Sequence, residues 1–308
     1  MRLAVSFWLS VVCAPALACG KVEARLDGDG GGSAVDSGPG GERDGGDSDA
    51  GDGPPDAGQN ACSWQPISTD DLVAVNSPGT EGSASLTGDG LALFFTVLES
   101  AGSLDIYDAT READGDPFSA PRLLGELSLP EQDEYDVEIS TSGEEIFFLR
   151  TDSDDILTAA RASAGAAFGE VTPTGLLGYS PSLSGDGLRL YFLDLDLIKI
   201  QRSSRESIDA PWDTPVDVGP VKDAAWIDVS SDELSVLVSG GKPPVGLARR
   251  GSVEDPFDGP VPAGDVFLKE EPPIVFLDEA SWNGRQDQIV LSALLEDGTA
   301  DLFLSSCE

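Results

Sequence analysis

Short runs of alternating apolar and polar residues, separated by polar turns, recur along the chain from about residue 62 onward. The clearest run is Ser182–Phe192, in which the turn Ser184–Gly187 leads into a strand that ends Leu190-Tyr191-Phe192. Strict alternation is typical of a half-buried β-strand, whereas an amphipathic helix repeats its apolar residues every 3.6 positions. No segment of useful length follows that helical period. The pattern therefore predicts an all-β domain with very little helix.

The turn-and-strand unit is repeated five times. Its copies end at the apolar anchors Phe95, Phe148, Phe192, Val238 and Leu291, which lie 53, 44, 46 and 53 residues apart. Each copy is followed by a second strand, over 104–107, 155–158, 197–200, 245–248 and 301–304. A period of roughly 45–53 residues with several short strands is that of a propeller blade. We predict a β-propeller of five blades, and the two 53-residue gaps leave six as the alternative.

Three segments resemble the WD-like repeat of TolB-type β-propellers. They are the strand Ser182–Phe192, the strand Asp105-Ile106-Tyr107 and the aromatic connector Pro117-Phe118-Ser119-Ala120-Pro121. The resemblance covers about residues 62–308, although Gly185 replaces the proline that the family places before Asp-Gly. It implies a propeller fold and protein partners in the cell envelope, and it transfers no functional residue to this chain.

The family pattern also accounts for both ends of the predicted domain. Trp64-Gln65-Pro66 and then Leu72–Ser77 resemble a connector and an outer strand, while the last copy stops at Cys307 before its own connector. The N-terminal piece is thus expected to complete the last blade and close the ring. This closure would bring Cys62 and Cys307 together, and we predict a disulfide between them, which export would permit.

The N-terminal residues have the features of an export signal. Arg2 precedes the apolar run Leu3–Val12, which is too short to span a membrane. The following Ala16-Leu17-Ala18-Cys19 resembles a bacterial lipobox, in which Cys19 is lipidated, but Ala16-x-Ala18 also fits plain secretion. We expect a signal peptide over 1–18, a disordered Gly/Asp-rich tether over 19–61 and the propeller over 62–308. The predicted location is the outer membrane or cell surface, with a periplasmic or secreted protein as the alternative.

Charge and composition restrict the partners and the chemistry. The chain has 56 acidic against 18 basic residues, a formal charge of −38, and no histidine. So acidic a surface repels nucleic acid and anionic lipid headgroups, which leaves a lipid anchor as the expected membrane contact. The lack of histidine excludes Ser-His-Asp and Cys-His catalysis and histidine-based zinc sites.

These features favour a monomeric binding or scaffold module at the cell envelope, with a protein or a glycan as partner. We expect no enzymatic activity and assign no cofactor, metal ligand or catalytic residue. The alternatives are a carboxylate-based glycoside hydrolase and a Ca²⁺-binding propeller. Asp136, Asp228 and Asp278 precede blade strands and could reach the mouth of the channel. The full set of candidate acids is Asp136, Glu138, Asp194, Asp196, Asp228, Asp278 and Glu279.

An aromatic residue recurs in the connector of four copies, as Phe118, Phe168, Trp212 and Phe257. Recurrence at the repeat period is what packing between blades requires. We therefore predict that these side chains belong to the core and do not form a platform for stacking sugars.

Overall fold

A computed structural model describes residues 64–307, except 99–101, 152, 197–198, 221–223, 241–244 and 263–273, and gives only the backbone of 262 and 275–278. The predicted signal peptide, the tether, Cys19 and Cys62 lie outside this part of the chain. Within it, no helix is long and apolar enough to cross a membrane.

The described chain forms five antiparallel sheets, one for each repeat, which confirms the prediction of a five-bladed all-β propeller. The only helix among the described residues is a 3-10 turn at Asp70–Leu72. Blade 1 comprises β1 (Thr80–Leu86), β2 (Ala92–Leu98), β3 (Leu104–Thr110) and β4 (Arg122–Leu123). Blade 2 comprises β5 (Glu134–Ile139), β6 (Glu145–Arg150), β7 (Asp155–Ala160) and β8 (Thr172–Leu177).

The other three blades follow the same meander. Blade 3 comprises β9 (Tyr179–Leu183), β10 (Arg189–Leu193), β11 (Lys199–Ser204) and β12 (Val216–Pro220). Blade 4 comprises β13 (Trp226–Val229), β14 (Ser235–Ser239), β15 (Val245–Arg249) and β16 (Val261–Pro262). Blade 5 comprises β17 (Ile274–Trp282), β18 (Gln288–Leu295) and β19 (Ala300–Ser306).

The first strand of every blade faces the axis of the ring. The strands β1, β5, β9, β13 and β17 contact one another in this order, and β17 contacts β1 again. The five sheets are therefore closed into a ring, and no sheet presents its inner edge to solvent.

The N-terminal segment completes blade 5. Trp64 and Ser68 form β-bridges with Cys307 and Leu304, and the backbone N–H of Ser68 donates to the Leu304 carbonyl at 2.8 Å. The segment 72–77, expected to be an outer strand, instead follows the 3-10 turn and buries Leu72 and Val75. Closure of the ring is thus confirmed, but the pairing occurs earlier in the chain than the pattern predicted.

Cys307 directly follows β19 and is disulfide-bonded. Because Cys62 lies outside the described residues, the Cys62–Cys307 pairing stays a prediction.

Consecutive aromatic residues in the second strands of blades 1 to 3 fill the spaces between blades. Phe94 packs in one cluster with Phe148 of blade 2, whereas Phe95 packs in another with Leu304 of blade 5. Neighbouring residues of a strand point to opposite faces of its sheet, so such a pair serves both interfaces of a blade. The connector aromatics Phe118, Phe168 and Phe257 are also buried, and Trp212 packs against Phe147, as predicted for core residues.

Each of the first four blades also contains a buried arginine stacked on its connector aromatic, an arrangement we call the arginine clamp. In blade 4, the Arg250 guanidinium lies 4.3 Å from the Phe257 ring centroid, and its Nε donates to the Glu233 carbonyl at 2.6 Å. The clamp fastens the connector to the hairpin turn between the first two strands of the same blade. The four pairs are Arg111–Phe118, Arg161–Phe168, Arg205–Trp212 and Arg250–Phe257.

Candidate functional site

The inner strands carry a layer of alternating serine and carboxylate side chains around the axis, which we call the wall layer. Its members occupy the same repeat position in the five blades: Ser85, Glu138, Ser182, Asp228 and Ser281. All five are buried. Four of the five side chains, all but Ser281, accept a backbone N–H of the next inner strand, which explains why polar residues are buried here.

Hydrogen bonds of the wall layer run from blade to blade. Glu138 accepts the N–H of Leu183 at 2.8 Å through Oε1 and the hydroxyl of Ser85 at 2.8 Å through Oε2. Asp228 accepts the hydroxyl of Ser182 at 2.9 Å and the N–H of Trp282 at 2.6 Å. Both carboxylates are therefore held in fixed orientations by two neighbouring blades.

Two residues before the wall layer lies a second ring, the mouth layer: Ser83, Asp136, Ser180, Trp226 and Glu279. Ser83, Asp136 and Ser180 have left-handed backbones with φ of 44°, 53° and 51°. The register of β1 and β5 with their partner strands is also interrupted there by β-bulges. Such bulges redirect side chains and are over-represented next to active sites.

Asp136 connects three blades in the mouth layer. Its Oδ2 accepts the N–H of Ser180 in blade 3 at 2.8 Å, and its Oδ1 accepts the indole N–H of Trp226 in blade 4 at 3.2 Å. The backbone N–H of Asp136 itself donates to the Ser83 hydroxyl at 3.0 Å in blade 1.

Burial raises the pKa of all three buried carboxylates, Asp136, Glu138 and Asp228. Burial raises the pKa of Asp136 to about 6 and that of Asp228 to about 7, although the hydrogen bonds they accept oppose the change. Burial, and after it the charge of Asp228, raises the pKa of Glu138 well above its usual value. No salt bridge within the described residues includes any of the three, so desolvation prevails.

The hairpin turns after the inner strands converge at the opposite end from the mouth layer and form what we call the floor: Gly88, Thr141, Gly185, Ser231 and Gly284. Gly88 donates to the Thr141 carbonyl at 3.0 Å, and the Thr141 hydroxyl donates to the Gly185 carbonyl at 2.9 Å.

The contacts of the floor continue around the axis. The Ser231 hydroxyl donates to the Gly284 carbonyl at 2.8 Å, and a Cβ on Gly284 would lie only 2.7 Å from Gly88 Cα. The floor is thus a ring of close contacts between the turns at one end of the axis, and the mouth layer lies at the other end. We call the mouth and wall layers together the axial site.

The sequence-predicted acids divide into two groups. Asp136, Glu138, Asp228 and Glu279 belong to the axial site, whereas Asp194 and Asp196 lie in the hairpin that connects β10 and β11. The side chain of Asp278 is outside the described part of the chain. The blade 5 member of the mouth layer is Glu279, which lies two residues before Ser281. In the described residues, no group of three or more His, Cys, Asp or Glu side chains is placed to hold a metal ion.

Sequence reasoning missed the serines of the two layers, Trp226 and the arginine clamp. The clamp had a usable signal, because an arginine precedes the connector aromatic by seven residues in all four copies. The wall-layer serines also had one, since they recur at one repeat position. Ser83 and Ser180 had none, because the left-handed backbones that place them cannot be seen in the alternation of residues. Trp226 has no counterpart in the other repeats, so repetition could not reveal it.

No protein-family model and no curated protein matches the chain. Many solved structures are similar to it in fold. An α-L-arabinofuranosidase of Podospora anserina, solved with cellotriose, is 10% identical with a TM-score of 0.53, and the match covers 76% of this chain and 93% of that one. The xyloglucan-locus protein GH43B of Bacteroides ovatus is 13% identical with a TM-score of 0.52, over 73% and 52% of the two chains. TolB of Acinetobacter baumannii is 12% identical with a TM-score of 0.47, over 76% and 56%.

These similarities correct one prediction. The expectation of a protein without enzymatic activity is wrong as an inference from the fold, because glycoside hydrolases are among the structures that share it. The expectation relied on the lack of histidine and of a catalytic motif. Carboxylate catalysis requires neither, since two acids brought together by the fold suffice.

Proposed function

We propose that the protein is a carboxylate-dependent glycoside hydrolase, with the axial site as its active site. The observation that supports this most is the convergence of Asp136, Glu138 and Asp228 from blades 2 and 4, buried, without an ionic partner and with raised pKa values. Titratable groups perturbed in this way are characteristic of acid–base catalysts.

The pair Glu138 and Asp228 has the chemistry that the reaction needs. Glu138, whose pKa is raised by burial and by the Asp228 charge, holds a proton that it can donate to the oxygen of a glycosidic bond. Asp228, whose charge raises the pKa of Glu138, is the group of the pair that ionises first and can take a proton from the attacking water. The hydrogen bonds from Leu183 and Trp282 hold both groups in place before substrate arrives.

The proposal is tested by assaying aryl glycosides, including 4-nitrophenyl α-L-arabinofuranoside and β-D-xyloside, together with xylotriose and cellotriose. Glu138→Gln and Asp228→Asn keep one acceptor oxygen for the backbone N–H that each residue binds, so both variants should fold. We expect each to lower kcat/KM by about 100-fold or more, the range of lost acid–base catalysis. Glu138→Gln should also remove the alkaline limb of the pH profile.

Asp196→Asn is the matched control, because Asp196 is an exposed acid in an outer hairpin. It should leave the rate unchanged. Absence of hydrolysis by the wild type across the panel contradicts the proposal, as does equal activity of Glu138→Gln and Asp196→Asn. Binding of a glycan without hydrolysis would instead identify a carbohydrate-binding module.

The placement of the protein also belongs to the proposal. The apolar run Leu3–Val12 and the lipobox-like Ala16–Cys19 support export and a lipid at Cys19, with 19–61 as the tether. An exported location suits an enzyme that meets glycans outside the cytoplasm. Peptide mapping of the protein from envelope fractions checks this, and an unmodified Cys19 contradicts it.

A further inference from the structure

Trp226 is the one aromatic residue among the ten members of the mouth and wall layers. We propose that it determines the specificity of the axial site by providing the apolar face on which a sugar ring stacks. This inference rests on the proposed function, because it assumes that the ligand is a carbohydrate.

Blade 4 departs from the repeat where Trp226 begins its inner strand. Blades 1 to 3 have small or acidic residues with left-handed backbones at this position, namely Ser83, Asp136 and Ser180. In blade 4 the pairing of β13 with β14 runs without a bulge, from Trp226 opposite Ser239 onward. The hydroxyls of Ser83 and Ser180 accept hydrogen bonds from the backbone of the next blade. Packing of the propeller at this position therefore does not require an indole.

The surroundings of Trp226 are shaped to hold an indole across the mouth layer. Its Nε1 donates to Asp136 at 3.2 Å, two blades away, and the same carboxylate accepts the N–H of Ser180 in the blade between them. Gly240 lies beneath the ring: a Cβ there would be 2.4 Å from Cζ3 of Trp226. Gly240 also has a left-handed φ of 77°, which disfavours any larger residue.

This arrangement couples the aromatic face to a carboxylate. Trp226 is half-buried, so part of the residue remains accessible to solvent. A sugar ring has an apolar face of C–H groups bordered by hydroxyls. Stacked on the indole, it can direct a hydroxyl toward the Asp136 carboxylate and donate to it beside the indole N–H. A ligand without that combination of an apolar face and a donor would lose one of the two contacts.

Two substitutions separate the two contributions. Binding of xylotriose and cellotriose is measured in the Glu138→Gln background. There, Trp226→Phe keeps an aromatic face and removes the indole N–H, so the affinity should stay within about 3-fold of that of the Glu138→Gln protein with Trp226 intact. Trp226→Ala removes the face and should weaken that binding by about 10-fold or more. In the active protein, Trp226→Ala should raise KM more than it lowers kcat. Isothermal titration calorimetry and steady-state kinetics give these values.

The control is Trp212→Phe, since three other blades already have phenylalanine at the connector position. It should not change binding. If Trp226→Ala binds and turns over glycans as Trp212→Phe does, the inference is overturned while the proposed function stands. If the wild type binds glycans without hydrolysing them, hydrolysis is refuted, and the binding affinities alone decide the role of Trp226. If no glycan of the panel binds or reacts, both the proposed function and the stacking role of Trp226 are refuted.

Discussion

At the scale of single residues, the buried polar groups of this protein combine structural and chemical roles. Glu138 and Asp228 accept backbone N–H groups of neighbouring blades, which explains why acids can be tolerated in a buried layer. The same burial raises their pKa values. The two residues that link neighbouring blades are therefore also the residues whose raised pKa values suit proton transfer.

The arginine clamp is structural, and neighbouring residues in blade 4 provide a matched test of it. Arg250 is buried, stacks on Phe257 and donates to the Glu233 carbonyl and, at 2.7 Å, to the Tyr191 hydroxyl, whereas Arg249 is exposed. Lysine cannot reproduce the planar fork of arginine. We expect Arg250→Lys to lower the free energy of unfolding by about 2 kcal/mol.

Arg249→Lys should have almost no effect, because surface substitutions away from such contacts are usually neutral. Urea denaturation of both variants measures the difference. Equal transition midpoints would show that the clamp contributes nothing beyond the charge.

At the scale of elements, the hairpin turns do more than connect two strands. In each blade the turn begins with a hydroxyl or amide residue that caps it, as Ser184 does by accepting the N–H of Arg189 at 2.9 Å. The next residue of the turn then meets its counterparts from other blades in the floor. Small residues are needed there because five backbones approach one another around the axis.

The floor predicts a sharp contrast between two glycines. A Cβ on Gly284 would lie 2.7 Å from Gly88 Cα and 2.8 Å from Thr141 Cγ2, and backbone cannot move away cheaply. A Cβ on Gly165 meets nothing within 4 Å. Gly284→Ala should therefore cost about 1–3 kcal/mol of stability, whereas Gly165→Ala should be neutral or slightly stabilising. Thermal unfolding followed by circular dichroism checks this, and a Gly284→Ala protein as stable as Gly165→Ala would contradict a packed floor.

The elements also show what the sequence could reveal. Alternation and period identified the strands, the blade number and the connector aromatics, because these features depend on local pattern and on repetition. The segment 72–77 was misassigned as a strand, since Leu72 at the end of the 3-10 turn and Val75 just after it pack into the core without forming one. The axial site was only half visible: Asp136 and Asp228 were expected near the channel, but the roles of Ser180 and Trp226 depend on bulges and on neighbours from distant repeats.

At the scale of the whole molecule, the ring depends on joining its two ends in blade 5. The N–H of Cys307 donates to the Asp287 carbonyl at 2.7 Å, as the N–H of Arg250 does to the Leu234 carbonyl at 3.0 Å in blade 4. Cys307 therefore occupies the position that holds the clamp arginine in the other blades. Blade 5 takes its connector, which contains Trp64, from the N-terminal side of the domain. A disulfide at Cys307 would therefore hold this connector to blade 5, as the arginine clamp holds the connectors of the other blades.

This position gives the predicted Cys62–Cys307 disulfide a defined energetic role. It would close a loop of about 245 residues, worth about 4–5 kcal/mol in the chain-entropy model. Cys307→Ser should lower the unfolding temperature of the oxidised protein, and reduction with dithiothreitol should lower the wild type to the same value. Non-reducing peptide mapping should find Cys62 and Cys307 in one linked pair.

The pairing itself is decided by a double-mutant cycle. If the two cysteines share one bond, Cys62→Ser, Cys307→Ser and the double variant lose the same stability, because either change alone already removes the link. If they act separately, the losses add in the double variant. Additive losses would contradict the disulfide and leave the backbone bridges at Trp64 and Ser68 as the means by which the ring is closed.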